Sequence, residues 1–91
     1  MAEEQKVQTK LIQQLEKAGY YVIKLSVTNK AGIPDVIAIP PGSDVEFIEV
    51  KAKGKKPAPL QLYRHKELRK YGLKVSVHDG TEQYIVRERH T

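Results

Sequence analysis

The chain begins with apolar residues spaced as in an amphipathic helix, with mostly polar and charged residues between them. At about 100° per residue, five apolar side chains share one face. They are Val7, Leu11, Ile12, Leu15 and Ala18. Gly19 follows directly and suits the position after a helix C-terminus. The pattern therefore predicts a helix over residues 3–18.

Three short β-rich runs follow this helix, at residues 20–25, 34–39 and 45–51. The polar stretch 26–32 separates the first two runs as a loop. A cluster of Pro, Gly, Ser and Asp at positions 40–44 then marks a turn between the second and third runs. Because such a short connection reverses the chain, these two strands are predicted to be antiparallel neighbours.

A second helix and a fourth strand complete the predicted core, at residues 60–71 and 74–78. Much of the apolar side of this helix is assigned to Leu60, Tyr63, Leu68 and Tyr71. A last apolar piece at residues 84–86 is compatible with strand or helix. The order is thus α-β-β-β-α-β, and a crossover through a helix favours parallel pairing of the strands on either side. We expect an α/β fold with a mixed sheet flanked by helices.

Composition limits the class of protein. The 91 residues form a single domain, residues 1–91, whose small core makes a homodimer attractive. No run approaches the roughly 20 apolar residues of a membrane span, so a soluble, cytoplasmic protein is expected. Cysteine is absent, which excludes disulfides and thiolate chemistry and leaves oxygen or imidazole as metal ligands. The net charge of +5 favours a polyanionic partner without identifying one.

Three ionisable residues stand in apolar surroundings where charge is unexpected: Asp35, Glu49 and Lys51. Strand side chains alternate, so Glu49 and Lys51 point to the same face. Buried charges need a partner, and two carboxylates on adjacent strands suit a hard divalent cation such as magnesium. The carbonyl of Val50 is a candidate third oxygen ligand. Such an ion polarises a phosphodiester and lowers the pKa of bound water, with Lys51 placed to stabilise the developing charge.

Each fragment alone also has an ordinary structural explanation. A Glu and a Lys two residues apart on a strand often form a solvated ion pair of little energetic value. A Pro-Asp pair often belongs to a turn. The combination is more specific, because the strand-turn-strand spacing brings all three residues to one place.

Taken together, the motifs Gly32-Ile33-Pro34-Asp35 and Glu49-Val50-Lys51, with Gln61 near a helix start, resemble the PD-(D/E)XK nuclease superfamily. Within it, the chain resembles a stand-alone VRR-Nuc domain of phage or bacterial type. The resemblance implies a restriction-endonuclease-like fold and the cytoplasm of a bacterial or phage-infected cell. By this resemblance Asp35 and Glu49 are metal ligands, Lys51 is catalytic, and Gln61 lies near the catalytic site.

The family also carries an acidic residue on its first helix. Glu4 lies near the middle of the apolar stripe of the predicted helix, whereas Glu3 and Glu16 lie well off it. Glu4 is therefore the candidate for a further metal ligand. Three histidines, at positions 65, 78 and 90, lack mutual metal-ligand spacing and receive no site.

Four lysines flank the predicted cleft and are candidate phosphate contacts: Lys30, Lys53, Lys55 and Lys56. The leading hypothesis is a Mg²⁺- or Mn²⁺-dependent endonuclease acting on DNA. By family resemblance it is a homodimer that prefers branched DNA such as four-way (Holliday) junctions. The alternatives are a less selective nuclease or nickase that works with a replication partner, and a non-catalytic DNA-binding module of the same fold.

Overall fold

The computed structural model describes residues 2–42 and 44–86. Two helices, α1 (Glu3–Lys17) and α2 (Pro59–Lys70), accompany four strands. The strands are β1 (Tyr21–Lys24), β2 (Val36–Ile39), β3 (Glu46–Val50) and β4 (Lys74–His78). Neither helix has the length and apolar character needed to cross a membrane, within the residues described.

The strands form one mixed sheet in the order β1-β2-β3-β4. The first three strands are antiparallel neighbours, as predicted for β2 and β3 from the short turn between them, and β4 pairs in parallel with β3. The parallel pair is joined through α2, the crossover that the sequence predicted. The α-β-β-β-α-β order and the mixed α/β sheet are confirmed.

The apolar core lies between α1 and one face of the sheet. Leu11 and Leu15 of α1 are fully buried in the same cluster as Ile48 and Val50 of β3. Side chains alternate along a strand, so Glu49 must point to the opposite face. That face is covered by α2, whose His65 contacts Glu49.

The predicted apolar side of α2 is wrong for three of its four residues. Leu60 and Tyr63 are about half exposed, and Tyr71 is 85% exposed. The buried residue of α2 is instead His65. The physical reason is that α2 covers the sheet face that carries Glu49, so its inward side is polar.

The tail piece at residues 84–86 is neither strand nor helix. It is held against the core mainly by Tyr84, whose carbonyl accepts a 2.7 Å hydrogen bond from the Gln14 side chain. The Tyr84 hydroxyl donates to the Glu46 carboxylate. Side-chain hydrogen bonds fix this segment in place of a regular backbone ladder, which is why periodicity did not reveal its conformation.

Candidate active site

Asp35 and Glu49 meet where β2 begins and β3 ends. In the β2–β3 register Val36 pairs with Ile48, and one further step places Asp35 opposite Glu49 on the face away from α1. An Asp35 side-chain oxygen accepts a 2.8 Å hydrogen bond from the backbone N–H of Val50. The Asp35 carbonyl accepts another, of 2.7 Å, from the N–H of Leu25. Both neighbouring strands therefore fix the position of Asp35.

The Gly32-Ile33-Pro34 segment positions Asp35 by close packing against the start of α2. Gly32 has a φ of +84°, and a Cβ atom there would lie 2.9 Å from Cγ of Leu60. Pro34 is fully buried. The glycine of the motif is thus required twice, once for its backbone conformation and once for space.

The Glu49 carboxylate is 1% exposed. Burial raises the pKa of Glu49 to about 8, and repulsion and hydrogen bonding from the Asp35 carboxylate add to the rise. Lys51 lowers this pKa, and Glu4 raises it further. With a pKa of about 8, the Glu49 carboxyl group holds a proton near neutral pH, and a divalent cation is the natural replacement for that proton.

Lys51 and Gln61 extend the site from Glu49 towards solvent. The Gln61 amide nitrogen donates a 3.0 Å hydrogen bond to Oε2 of Glu49. Its oxygen accepts from the backbone N–H of Ala58 at 2.7 Å and lies 3.5 Å from Nζ of Lys51. Gln61 therefore caps the first turn of α2 and, with the same amide, links the acidic residue to the basic one.

Glu4 borders this group from the first turn of α1. Its Oε1 atom lies 3.8 Å from Nζ of Lys51, and its side chain is 46% exposed. The ion-pair partner of Glu4 in this structure is therefore Lys51. Its role as a metal ligand stays a prediction.

His65 is a member of the site that sequence reasoning missed. Its Nε2 atom lies 3.1 Å from Oε1 of Glu49, and both side chains are 1% exposed. Burial and the positive charge of Arg69 lower the pKa of His65 below its ordinary value. The available signal was its spacing of four residues from Gln61, which places both side chains on one face of α2.

The oxygen atoms of the site fit a hard divalent cation that needs few ligands from the protein. In residues 2–42 and 44–86, no group of three or more His, Cys, Asp or Glu side chains is arranged to hold a metal ion. Asp35 and Glu49 supply two carboxylates, and the predicted carbonyl of Val50 would add a backbone oxygen. Magnesium commonly binds through one or two carboxylates and retains several waters. The residues present therefore suit magnesium or manganese better than a metal that needs a complete protein cage.

The four predicted DNA-binding lysines are all exposed. Lys30 lies in the loop before Asp35, and the other three lie in the connection between β3 and α2. Arg64, which the sequence analysis gave no role, donates a 2.9 Å hydrogen bond from Nε to the carbonyl of Ala31. It ties the loop that carries Lys30 to α2, and the other basic segment is held by a 3.1 Å hydrogen bond from the backbone N–H of Gly54 to the Asp79 carboxylate.

Known proteins resemble this chain in sequence and in fold. No model of a protein family matches the chain. A protein of Acyrthosiphon pisum secondary endosymbiont phage 1, named "Putative nuclease p44", is 32% identical over 79 residues, covering 87% of this chain and 85% of its own.

Two solved structures share the fold. One, described as "VRR_NUC domain", superposes with a TM-score of 0.77 at 37% identity and covers 85% of this chain and 84% of its own. Another, described as "VRR_NUC domain protein", has a TM-score of 0.72 at 24% identity, with coverages of 87% and 78%. The first of these structures matches 85% of this chain at 37% identity, and this identity is too high for a likeness of fold alone. The chain therefore belongs to the VRR-Nuc domain family.

Proposed function

We propose that this protein is a Mg²⁺- or Mn²⁺-dependent endonuclease that hydrolyses phosphodiester bonds of DNA. One observation carries the proposal: Asp35 and Glu49 lie opposite each other on adjacent strands, and Gln61 links Glu49 to Lys51. Family membership supports a nuclease, and so does the name of the phage relative.

Asp35, Glu49 and the carbonyl of Val50 would hold the metal. When bound, a divalent ion stabilises negative charge on the scissile phosphate and lowers the pKa of a coordinated water. The water oxygen forms a bond to phosphorus and gives up a proton to bulk solvent, while the bond to the leaving-group oxygen breaks and that oxygen takes up a proton from bulk solvent. Lys51 is placed to orient the water or to stabilise charge on the phosphate, because Gln61 and Glu4 hold its ammonium group at the acidic pair.

The exposed lysines extend the site to the rest of the substrate. Lys30, Lys53, Lys55 and Lys56 would contact backbone phosphates, which gives strongly salt-dependent affinity with little base specificity. Carboxylates repel phosphate unless a cation lies between them. The acidic pair among these lysines is therefore better explained by catalysis than by a purely DNA-binding role.

We further propose a homodimer acting on branched DNA such as four-way junctions. A two-fold dimer carries two equivalent active sites, which suits paired nicks on opposite strands of a junction. This preference follows from resemblance to stand-alone family members. The site geometry of one protomer is equally compatible with a less selective nuclease or nickase.

The test is cleavage of labelled four-way junction, flap, single-stranded and linear duplex DNA with Mg²⁺, Mn²⁺ or EDTA. Wild type is compared with Asp35→Ala and Lys51→Ala, and sedimentation gives the oligomeric state. Symmetric junction nicking that needs metal and disappears in both variants supports the whole proposal. Metal-dependent cutting of other substrates keeps the nuclease but refutes junction preference, and tight binding without cutting favours a non-catalytic module.

A further inference from the structure

His65 is the most deeply buried ionisable residue of α2, and the catalytic scheme above gives it no part. Its ring nitrogen Nε2 contacts one oxygen of Glu49, while the amide of Gln61 contacts the other oxygen. The two α2 residues are four positions apart, so they approach the carboxylate from successive turns of one helix. Each oxygen of Glu49 therefore has its own partner on a rigid element.

The chemistry of these two contacts determines the direction of the second hydrogen bond. An ionised carboxylate only accepts hydrogen bonds, so a ring nitrogen that contacts it must carry a proton, whether the imidazole is neutral or charged. When Glu49 is ionised, Nε2 of His65 therefore donates a hydrogen bond to Oε1. The ring then acts as a fixed donor, equivalent to the amide of Gln61.

Two fixed donors restrict how the Glu49 carboxylate can rotate. Each carboxylate oxygen has two lone pairs, and α2 occupies one lone pair on each. The remaining lone pairs are not used by α2, and the Asp35 carboxyl group lies within hydrogen-bonding reach of Glu49. Outer partners that orient a metal-binding group commonly change metal affinity by roughly 10–100-fold.

We propose that His65 is a positioning residue that donates from Nε2 to Glu49 and, with Gln61, orients this carboxylate for divalent metal binding. The inference rests on the proposed function, because it assigns Glu49 to a metal. His65 touches neither the metal nor DNA in this scheme. His65 changes the affinity of the site for the ion and leaves the hydrolytic step itself unchanged.

The test uses His65→Gln, His65→Asn and His65→Leu, with Lys66→Gln as a control on the exposed side of α2. A glutamine amide reaches the position of Nε2, an asparagine amide falls short by one methylene group, and leucine has no donor. Mn²⁺ binding is measured calorimetrically without DNA, thermal unfolding without metal checks the fold, and cleavage is measured over a range of Mn²⁺ concentrations.

We expect Mn²⁺ affinity to fall by roughly 10–100-fold in His65→Asn and His65→Leu, while His65→Gln and Lys66→Gln stay within about threefold of wild type. Cleavage by His65→Asn should recover at high Mn²⁺. Wild-type affinity in all variants would show that His65 only fills space, and equal loss in Gln and Asn would show that the imidazole is needed for another reason. Either result overturns the role of His65 while wild type still binds Mn²⁺. A wild-type protein that neither binds Mn²⁺ nor cleaves DNA overturns the proposed function as well.

Discussion

The side chain of Asp35 accepts a hydrogen bond from the backbone N–H of Val50, at 2.8 Å. One acidic residue is thereby attached to the strand that carries the other, next to Glu49. The two carboxylates cannot move apart without breaking this bond or the β2–β3 ladder. Their repulsion is therefore relieved by a proton or a cation and not by movement, which is the property a metal site requires.

The Asp35→Asn variant tests this arrangement. Asparagine keeps an oxygen that can accept from Val50 but removes the charge. We expect Mn²⁺-dependent cleavage to fall by more than the roughly 10–100-fold typical of an outer partner, because a direct ligand is lost. The free energy of unfolding without metal should be unchanged or higher near pH 8, since repulsion with Glu49 disappears. A variant that cleaves as wild type, or that unfolds more easily, would contradict the assignment.

Glu49 should give the metal-free protein an unusual dependence of stability on pH. Its pKa is about 8 in the folded protein and near the ordinary value of 4.5 when unfolded. The folded state therefore binds more protons between these values, and the free energy of unfolding falls as pH rises through them. The contribution is fully present below about pH 4.5 and lost above about pH 8. Between these two pKa values, the free energy of unfolding falls by nearly the amount expected for one proton, about 1.4 kcal/mol per pH unit.

The measurement is thermal or denaturant unfolding from pH 7 to 9, with Glu49→Gln as the control. This range avoids the titration of His65 and His78, whose pKa values are lowered by burial. Glutamine resembles the protonated acid, so the control should lose the slope and exceed wild type in stability at pH 9. Saturating Mn²⁺ should stabilise wild type increasingly as pH rises, because protons no longer compete with the ion. Identical slopes in wild type and Glu49→Gln would show that Glu49 is ionised throughout.

Local patterns were sufficient to place Asp35, Glu49 and Lys51 together. Strand alternation puts Glu49 and Lys51 on one face, and a short turn makes β2 and β3 neighbours. The placement of these three needs only residues close in sequence. Gln61 was identified instead through the family resemblance, and the structure places its amide against Glu49.

His65 could not be found in the same way, because its role depends on which side of α2 faces the sheet. Hydrophobic pattern assigned that side to Leu60, Tyr63 and Tyr71, which are exposed. The rule fails because α2 covers a buried carboxylate, so its inward residues are polar. A helix over an acidic site is better oriented by asking which polar residues share a face, as Gln61 and His65 do.

Gly32→Ala should disturb the site through a steric contact, and Gly54→Ala is its matched control. Both glycines have positive φ, but a Cβ at Gly54 would meet nothing within 4 Å, whereas at Gly32 it would approach Leu60. The shared backbone strain costs about 1–2 kcal/mol in each variant. Gly32→Ala should lose about 1–3 kcal/mol more through overpacking. Equal free energies of unfolding for the two variants, by denaturant titration, would show that the contact with Leu60 is unimportant.

Charge reversal at Lys53 and Lys55 should weaken DNA binding without removing metal binding. These lysines lie directly after β3, so their side chains are close to any phosphate held at Asp35 and Glu49. Each lost phosphate contact reduces the slope of log affinity against log salt by about 1. The double variant should therefore lose about two units of slope, with a similar weakening for every DNA sequence.

The matched control is the double reversal at Lys17 and Lys70, which changes the net charge equally. Both residues end helices whose first turns contribute Glu4 and Gln61 to the site, so along the helix axes they lie roughly 13–20 Å from those residues. If affinity depended only on net charge, both double variants would weaken equally. A larger loss of affinity and slope at Lys53 and Lys55, with Mn²⁺ affinity unchanged, identifies the connection between β3 and α2 as a phosphate-binding surface. An unchanged salt slope in that variant would place the DNA elsewhere.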